Sequence, residues 1–246
     1  ILLPNVLDVP NTESVALELL DIFESPIDIA GEQVHLTASL GLAMYPVHAE
    51  DAGELVSNAE LAMFQAKEKT GNTYRVFTEE ASQTVRSQFR LESELRQALD
   101  HNQFEVHYQP QFDLEDGEIM GAEALIRWRH PEKGFLEPQE FIPLAESRGF
   151  IERIDEMVLA EASETVHCLN NNYDRTMRLS VNVSPNHFKG PHLHEMVRTA
   201  LSTSGLRPEH LVLEITETVA MKDVEFTNKL LNELKQLGIK IALDDF

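Results

Sequence analysis

The chain has little of what would tie it to several common protein classes. It carries one cysteine, Cys168, so no internal disulfide framework can form and a reducing compartment fits. Its neighbours Val166, His167 and Leu169 predict a helix with a packed thiol, not a nucleophile. No apolar run is long enough to span a bilayer and no signal peptide is visible. A cytoplasmic location is therefore expected, with any membrane anchor of a parent protein in a missing N-terminal region. Basic residues are scarce: 20 Lys and Arg face 42 Asp and Glu, a net charge of −22. Binding to duplex nucleic acid is not expected, because it depends on neutralising phosphates with Lys and Arg. A small anionic ligand stays compatible if metal ions or a local arginine reverse the field inside a cleft. The chain starts on Ile1, not methionine, and stops at Asp244-Asp245-Phe246 after an apolar run, so both ends read as cut.

What is present is a globular pattern, 42% hydrophobic over 246 residues, with room for one large or two ordinary domains. Residues 1–79 read as a compact α/β segment. Its helices are expected over Ala16–Phe23 and Glu54–Lys69, a strand over Val34–Met44, and a short strand over Tyr74–Phe77 after Gly71. Residues 80–101 predict a linker helix with Leu91, Leu95, Ala98 and Leu99 on one side. It reads either as a solvated connector or as a signal-transmitting helix.

Residues 102–246 alternate strand-like and helical runs, the pattern of parallel strands with crossover helices. The short turn Asp113–Gly117 makes the first two strands antiparallel neighbours. Later strands are expected over Met177–Ser184, His210–Thr216 and Ile239–Asp244, and helices over His192–Ser204 and Val224–Leu237. The fold class is thus α/β, a partial TIM-like (β/α) barrel preceded by a partial α+β domain.

The barrel strands carry oxygen donors toward their ends: Glu123, Asn182, Glu214, Asp244 and Asp245. Spacings of 59, 32 and 30 residues from Glu123 through Asn182 and Glu214 to Asp244 match about two, one and one βα units. Alternation at period two puts Glu123, Leu125 and Arg127 on one face of their strand. Glu123 shares its face with Gly121, Asn182 with Ser180 and Asp244 with Ala242, small residues that suit a narrow lumen. Glu214, with Val212, is the exception. Leu179, Val181, Leu211, Leu213, Ile241 and Leu243 are expected to face helices. A barrel places its site at these strand ends, and four carboxylates with an amide suit Mg²⁺ or Mn²⁺, not zinc. Without cations, several carboxylates would have to protonate. The fork of Arg127 suits a phosphate. His192 and His194 read as loop surface, Trp128 as a packing or site-wall residue, and Met44, Met63 and Met157 as core.

Ser39-Leu-Gly-Leu-Ala, Asn58-Ala-Glu-Leu-Ala-Met-Phe-Gln-Ala-Lys67 and Gly71-Asn72 resemble the C-terminal half of a GGDEF (diguanylate cyclase) domain. The half that carries the signature hairpin is missing, so no cyclase activity is assigned here. Tyr108-Gln-Pro110, Glu123-Ala-Leu125, Phe141-Ile-Pro-Leu-Ala-Glu146, Asn182-Val-Ser, Glu214-Ile-Thr-Glu217 and Asp244-Asp245-Phe246 resemble, in order, the EAL family of cyclic di-GMP phosphodiesterases. The resemblance implies two divalent ions, Mg²⁺ or Mn²⁺. Glu123, Asn182, Glu214 and Asp244 would hold the first, with Asp244 and Asp245 reaching the second. It also implies a phosphate on Arg127, a substrate site lined by Gln109 and Leu125, and Glu217 bracing the loop that starts at Asp244. Cyclic di-GMP would be cut once, to linear pGpG. The family's general-base lysine, on the strand after Asp-Asp-Phe, is absent from this chain. The resemblance therefore implies a piece of a GGDEF–EAL protein that is weakly active or inactive alone. A homodimer through the EAL domain and an upstream sensory domain are further expectations. Two other readings stay open: a cyclic di-GMP receptor without turnover, and a parent protein that both makes and degrades the dinucleotide.

Overall fold

The computed structural model of the chain describes residues 1–4, 9–67, 71–189, 192–216 and 224–244. Two compact units divide between Arg90 and Leu91, within one long helix.

The first unit begins with α1 (Val9–Asp21), then the antiparallel pair β1 (Ile27–Ile29) and β2 (Glu32–Val34). It continues with β3 (Ser39–Leu42), α2 (Ala52–Lys67) and β4 (Thr73–Val76), with β3 and β4 parallel. The single strand expected over Val34–Met44 is two: its start pairs with β1, its end with β4, and residues between join neither sheet. Helix α1 starts earlier than the sequence pattern suggests, because its buried stripe is Thr12, Ala16 and Leu20 at four-residue steps. Leu17 and Ile22 fall off that stripe and are exposed. Gly41 is required where β3 crosses α2: a Cβ there would run into the backbone of Ala59 and Met63.

Helix α3 (Glu79–Asp100) spans the division. Within the second unit one face of it is packed, with Leu95 and Ala98 fully buried and Leu91 and Leu99 on the same core, while Ser93, Arg96 and Gln97 stay exposed. Glu92 and Glu94 add ion pairs to Arg148 and Lys133.

The second unit is built on a sheet ordered β10-β9-β8-β6-β5. Strands β5 (Phe104–Phe112) and β6 (Ile119–His130) are antiparallel, joined by a turn in which Gly117 adopts a positive φ of 72°. Strand β7 (Gly134–Leu136) pairs with the end of β6. Strands β8 (Arg178–Asn182), β9 (Leu211–Thr216) and β10 (Lys240–Asp244) continue parallel to β6. The crossovers carry α4 (Pro138–Arg148), α5 (Ile151–Tyr173), α6 (His192–Ser204) and α7 (Val224–Gln236). Helix α4 begins where the Glu137 N–H donates to Glu140 Oε1 at 2.9 Å and ends at Gly149, whose φ is 74°. The βα alternation and the antiparallel first pair are as the sequence predicts.

The core lies between sheet and helices, with Leu179, Val181, Leu211 and Leu213 buried as expected. Trp128, fully buried, sits against Phe104 and Phe141 at centroid distances of 5.7 and 5.6 Å and donates from Nε1 to Gln103 Oε1 at 3.1 Å. Three expectations need correction. Leu243 is 47% exposed, because among the described residues β9 is the one strand paired with β10. Cys168 is exposed: the buried stripe of α5 passes through Val166, and two residues on is roughly 200° around the helix. His192 and His194 open α6, in agreement with the helix expected over His192–Ser204 and not with their reading as loop surface, His192 exposed and His194 half-buried. Met44, Met63 and Met157 are half-buried.

Just before β9, His210 is buried with Asn170 Nδ2 3.3 Å from Nδ1 and Arg207 Nη2 3.1 Å from Nε2. Burial, and next the Arg207 charge, push its pKa below the ordinary 6.5. The unfolded chain then binds more protons here than the folded one, so stability is full above pH 6.5 and falls as pH drops through and below it. His210→Gln is expected to flatten that acid-side fall in thermal melts between pH 7 and 5. A variant curve parallel to the wild type would remove His210 as the cause.

Candidate functional site

The strand registers bring three of the expected donors side by side. Glu123 on β6 lies level with Ser180 on β8, and Asn182 at the end of β8 lies level with Glu214 on β9. Across the first gap the Asn182 amide donates from Nδ2 to Glu123 Oε1 at 2.8 Å. Glu214 is half-buried, on the same side of β9 as Val212 and Thr216, while Leu211, Leu213 and Ile215 point into the core. It therefore shares its face with Asn182, and the exception is only that its face-mate Val212 is not small. Small residues make the approach possible: at Gly121 a Cβ would lie 2.7 Å from the carbonyl oxygen of Arg178. Ser180, buried, accepts from Gln111 Nε2 at 3.3 Å.

The other expected residues flank this group. Gln109 lies level with Glu123 on β5 and is exposed. Leu125 and Arg127 follow Glu123 on its face of β6, both half-buried. The Arg127 guanidinium donates to its neighbour's carbonyl, Ile126 O, at 2.9 Å, and its Nε stands 3.4 Å from Glu137 Oε2. Asp244 ends β10 level with Thr216 of β9, which carries its backbone to the same end of the sheet. Its side chain, like Glu217 and Asp245, lies outside the described residues. Among the described residues no three His, Cys, Asp or Glu groups form a ready metal cluster.

Directly behind the strand ends is a polar network that the sequence reading passed over. Asp155 on α5 accepts at Oδ2 from the backbone N–H of Ser184 at 3.1 Å, and the same oxygen stands 3.0 Å from His187 Nε2. The Ser184 hydroxyl donates to Glu146 Oε1 of α4 at 2.6 Å. Burial pushes the Asp155 carboxyl above the usual range, against the pull of His187 and the Ser184 N–H. The sequence held one signal for this: Asp155 sits four residues from Ile151 and Leu159, on an otherwise apolar stripe. A cavity of about 350 Å³ joins the two regions, lined among others by Leu125, Asn182, Glu214, Glu146, Asp155 and Ser184.

Two family models match the chain: the EAL domain over residues 92–246, and the diguanylate cyclase, GGDEF domain over residues 1–73. The bifunctional diguanylate cyclase/cyclic di-GMP phosphodiesterase MucR of Pseudomonas aeruginosa is 36% identical over 233 residues, covering 95% of this chain and 34% of MucR. The cyclic di-GMP phosphodiesterase NbdA of the same organism is 38% identical over 228 residues, 93% of this chain and 29% of NbdA. A solved structure of the MucR phosphodiesterase in complex with c-di-GMP superposes with a TM-score of 0.61 at 40% identity, covering 64% of each chain. The chain spans about a third of the length of these two curated relatives.

Proposed function

The chain belongs to the EAL domain family, and on that premise we propose that it carries the site of a cyclic di-GMP phosphodiesterase that opens one phosphodiester to give linear pGpG. The observation that carries the reading is the juxtaposition of Glu123, Asn182 and Glu214 on three adjacent strand ends, with Asn182 bonded to Glu123. The donor set fits a hard divalent ion such as Mg²⁺ or Mn²⁺. It is all oxygen, and Asn182 turns its N–H to Glu123, so its carbonyl oxygen is the atom left to ligate. Glu123, Asn182, Glu214 and Asp244 are the proposed ligands of one ion, and Asp244 and Asp245 of a second. Such ions supply charge stabilisation at the phosphoryl oxygens and a more acidic bound water.

The chain's own residues do the rest. Arg127 holds a substrate phosphate, its planar fork matched to two oxygens and its charge now partly met by Glu137. Gln109 and Leu125 line the substrate, and Glu217 braces the loop from Asp244. The proposal includes a division into residues 1–79 from a GGDEF domain, a linker helix over 80–101 and an EAL portion over 102–246. It includes a homodimer through the EAL domain, an upstream sensory domain in the parent protein and a cytoplasmic site of action. No described helix is long and apolar enough to cross a membrane.

The test is to incubate the full-length parent protein, since this piece alone is expected to be weakly active or inactive, with cyclic di-GMP and separate the products by chromatography. Conversion to pGpG in Mg²⁺ or Mn²⁺ that stops in EDTA is the expected result. Tight binding in EDTA with no cleavage in either metal would replace the hydrolase with a receptor.

A further inference from the structure

We infer that Asp155, His187 and Glu146 are positioning residues that set the side chain of Asn182; the inference rests on the site proposed above. Asn182 is the last residue of β8, and the chain leaves the sheet directly after it. Val183 still donates to Glu214 O at 3.0 Å, but the Ser184 N–H turns away to Asp155 of the helical layer. The orientation of the Asn182 amide therefore depends on how firmly the following turn is fixed.

That turn is pinned from two helices at once. Asp155 takes the Ser184 N–H and faces His187, while Glu146 takes the Ser184 hydroxyl. The backbone carbonyl of Glu146 also accepts from Asn186 Nδ2 at 2.8 Å, and Asn186 N donates to Ser184 Oγ at 3.3 Å. His187 is 1% exposed and Asp155 12% in their side chains. A buried pair of this kind is weak evidence of a stability device, since apolar residues of the same volume often serve as well. What a carboxylate adds is direction. One oxygen takes the Ser184 N–H and stands 3.0 Å from the imidazole, which holds the turn two residues after Asn182, and a shift there changes how Nδ2 meets Glu123. Groups that orient ligands in this way are worth about 10–100-fold in metal affinity.

The test reads Asn182 directly. In ¹⁵N-labelled, metal-free protein, the Asn182 side-chain amide resonances are followed in His187→Ala, His187→Gln and Asp155→Asn, beside Mn²⁺ affinity by calorimetry. His187→Ala is expected to move those resonances and weaken Mn²⁺ binding about 10–100-fold. His187→Gln, which restores a donor toward Asp155, should bring both back. Leu159→Ala, a fully buried position on the same helix, is the control: it lowers the melting temperature without moving the Asn182 amide. If His187→Ala fails to fold, Asp155→Asn, which keeps the volume, decides by the same readouts. Variants that behave as Leu159→Ala does would reduce the network to a packing role and overturn the inference. A protein that never hydrolyses cyclic di-GMP would defeat the phosphodiesterase reading yet leave the amide measurement intact, so the two failures are distinguishable.

Discussion

In the full-length parent protein, alanine in place of Glu123 is expected to slow hydrolysis of cyclic di-GMP at least about a thousandfold, which is about 4 kcal/mol of barrier. The change removes a carboxylate from the proposed metal site and takes away the acceptor of Asn182 Nδ2, so two of the three adjacent donors are affected together. Glu123 is only half-buried, so stability should move by no more than roughly 0.5 kcal/mol. Glu123→Gln separates the two effects: it keeps an oxygen for Asn182 but no charge, and should be nearly as inactive. Single-turnover formation of pGpG is the measurement. A rate within a few-fold of wild type would remove Glu123 from the chemistry and the site assignment with it.

Trp128→Ala should have the largest effect on folding, a loss of about 3–5 kcal/mol. The indole is fully buried between Phe104 and Phe141, and its removal opens a cavity those rings cannot close while leaving Gln103 Oε1 without its donor. Trp128→Phe, which keeps most of the volume, should cost less. Trp128 is the chain's one tryptophan, so urea denaturation has to be followed by circular dichroism. A loss below about 1 kcal/mol would mean that the aromatic cluster is not what holds β6 to its helices. Together the pair tests a division of labour along one strand. Glu123, Leu125 and Arg127 serve the site, and Ala124, Ile126 and Trp128 serve the core.

That division was legible in the sequence because a strand alternates and the donors recur at βα spacing. The succession of parallel βα units and the grouping of Glu123, Asn182 and Glu214 follow from it, and the antiparallel first pair follows from the short turn Asp113–Gly117. The errors fall where periodicity carries no information about neighbours. Val34–Met44 alternates throughout, yet its two halves pair with different partners. Cys168 sits among apolar residues in sequence but off the buried stripe of α5. The Asp155 network stayed hidden for a related reason. Its members come from α4, α5 and the turn after β8, and only packing brings together an aspartate and a histidine that lie 32 positions apart.

The antiparallel start of the second unit bears on the order in which it assembles. Strands β5 and β6 meet across a short turn, whereas Gly121 of β6 pairs with Arg178 of β8, 57 positions further along. Closing a long loop costs more chain entropy before any contact rewards it, so nearby pairings form first. Glu123 is therefore expected to be paired early, in a hairpin closed by nearby residues, before α4 and α5 pack on it. Its bond to Asn182 comes only when β8 arrives. A nascent or half-refolded chain can then carry the hairpin while lacking every other donor, and the Glu123–Asn182 bond marks the completion of the strand pairing that closes the longest loop in the sheet.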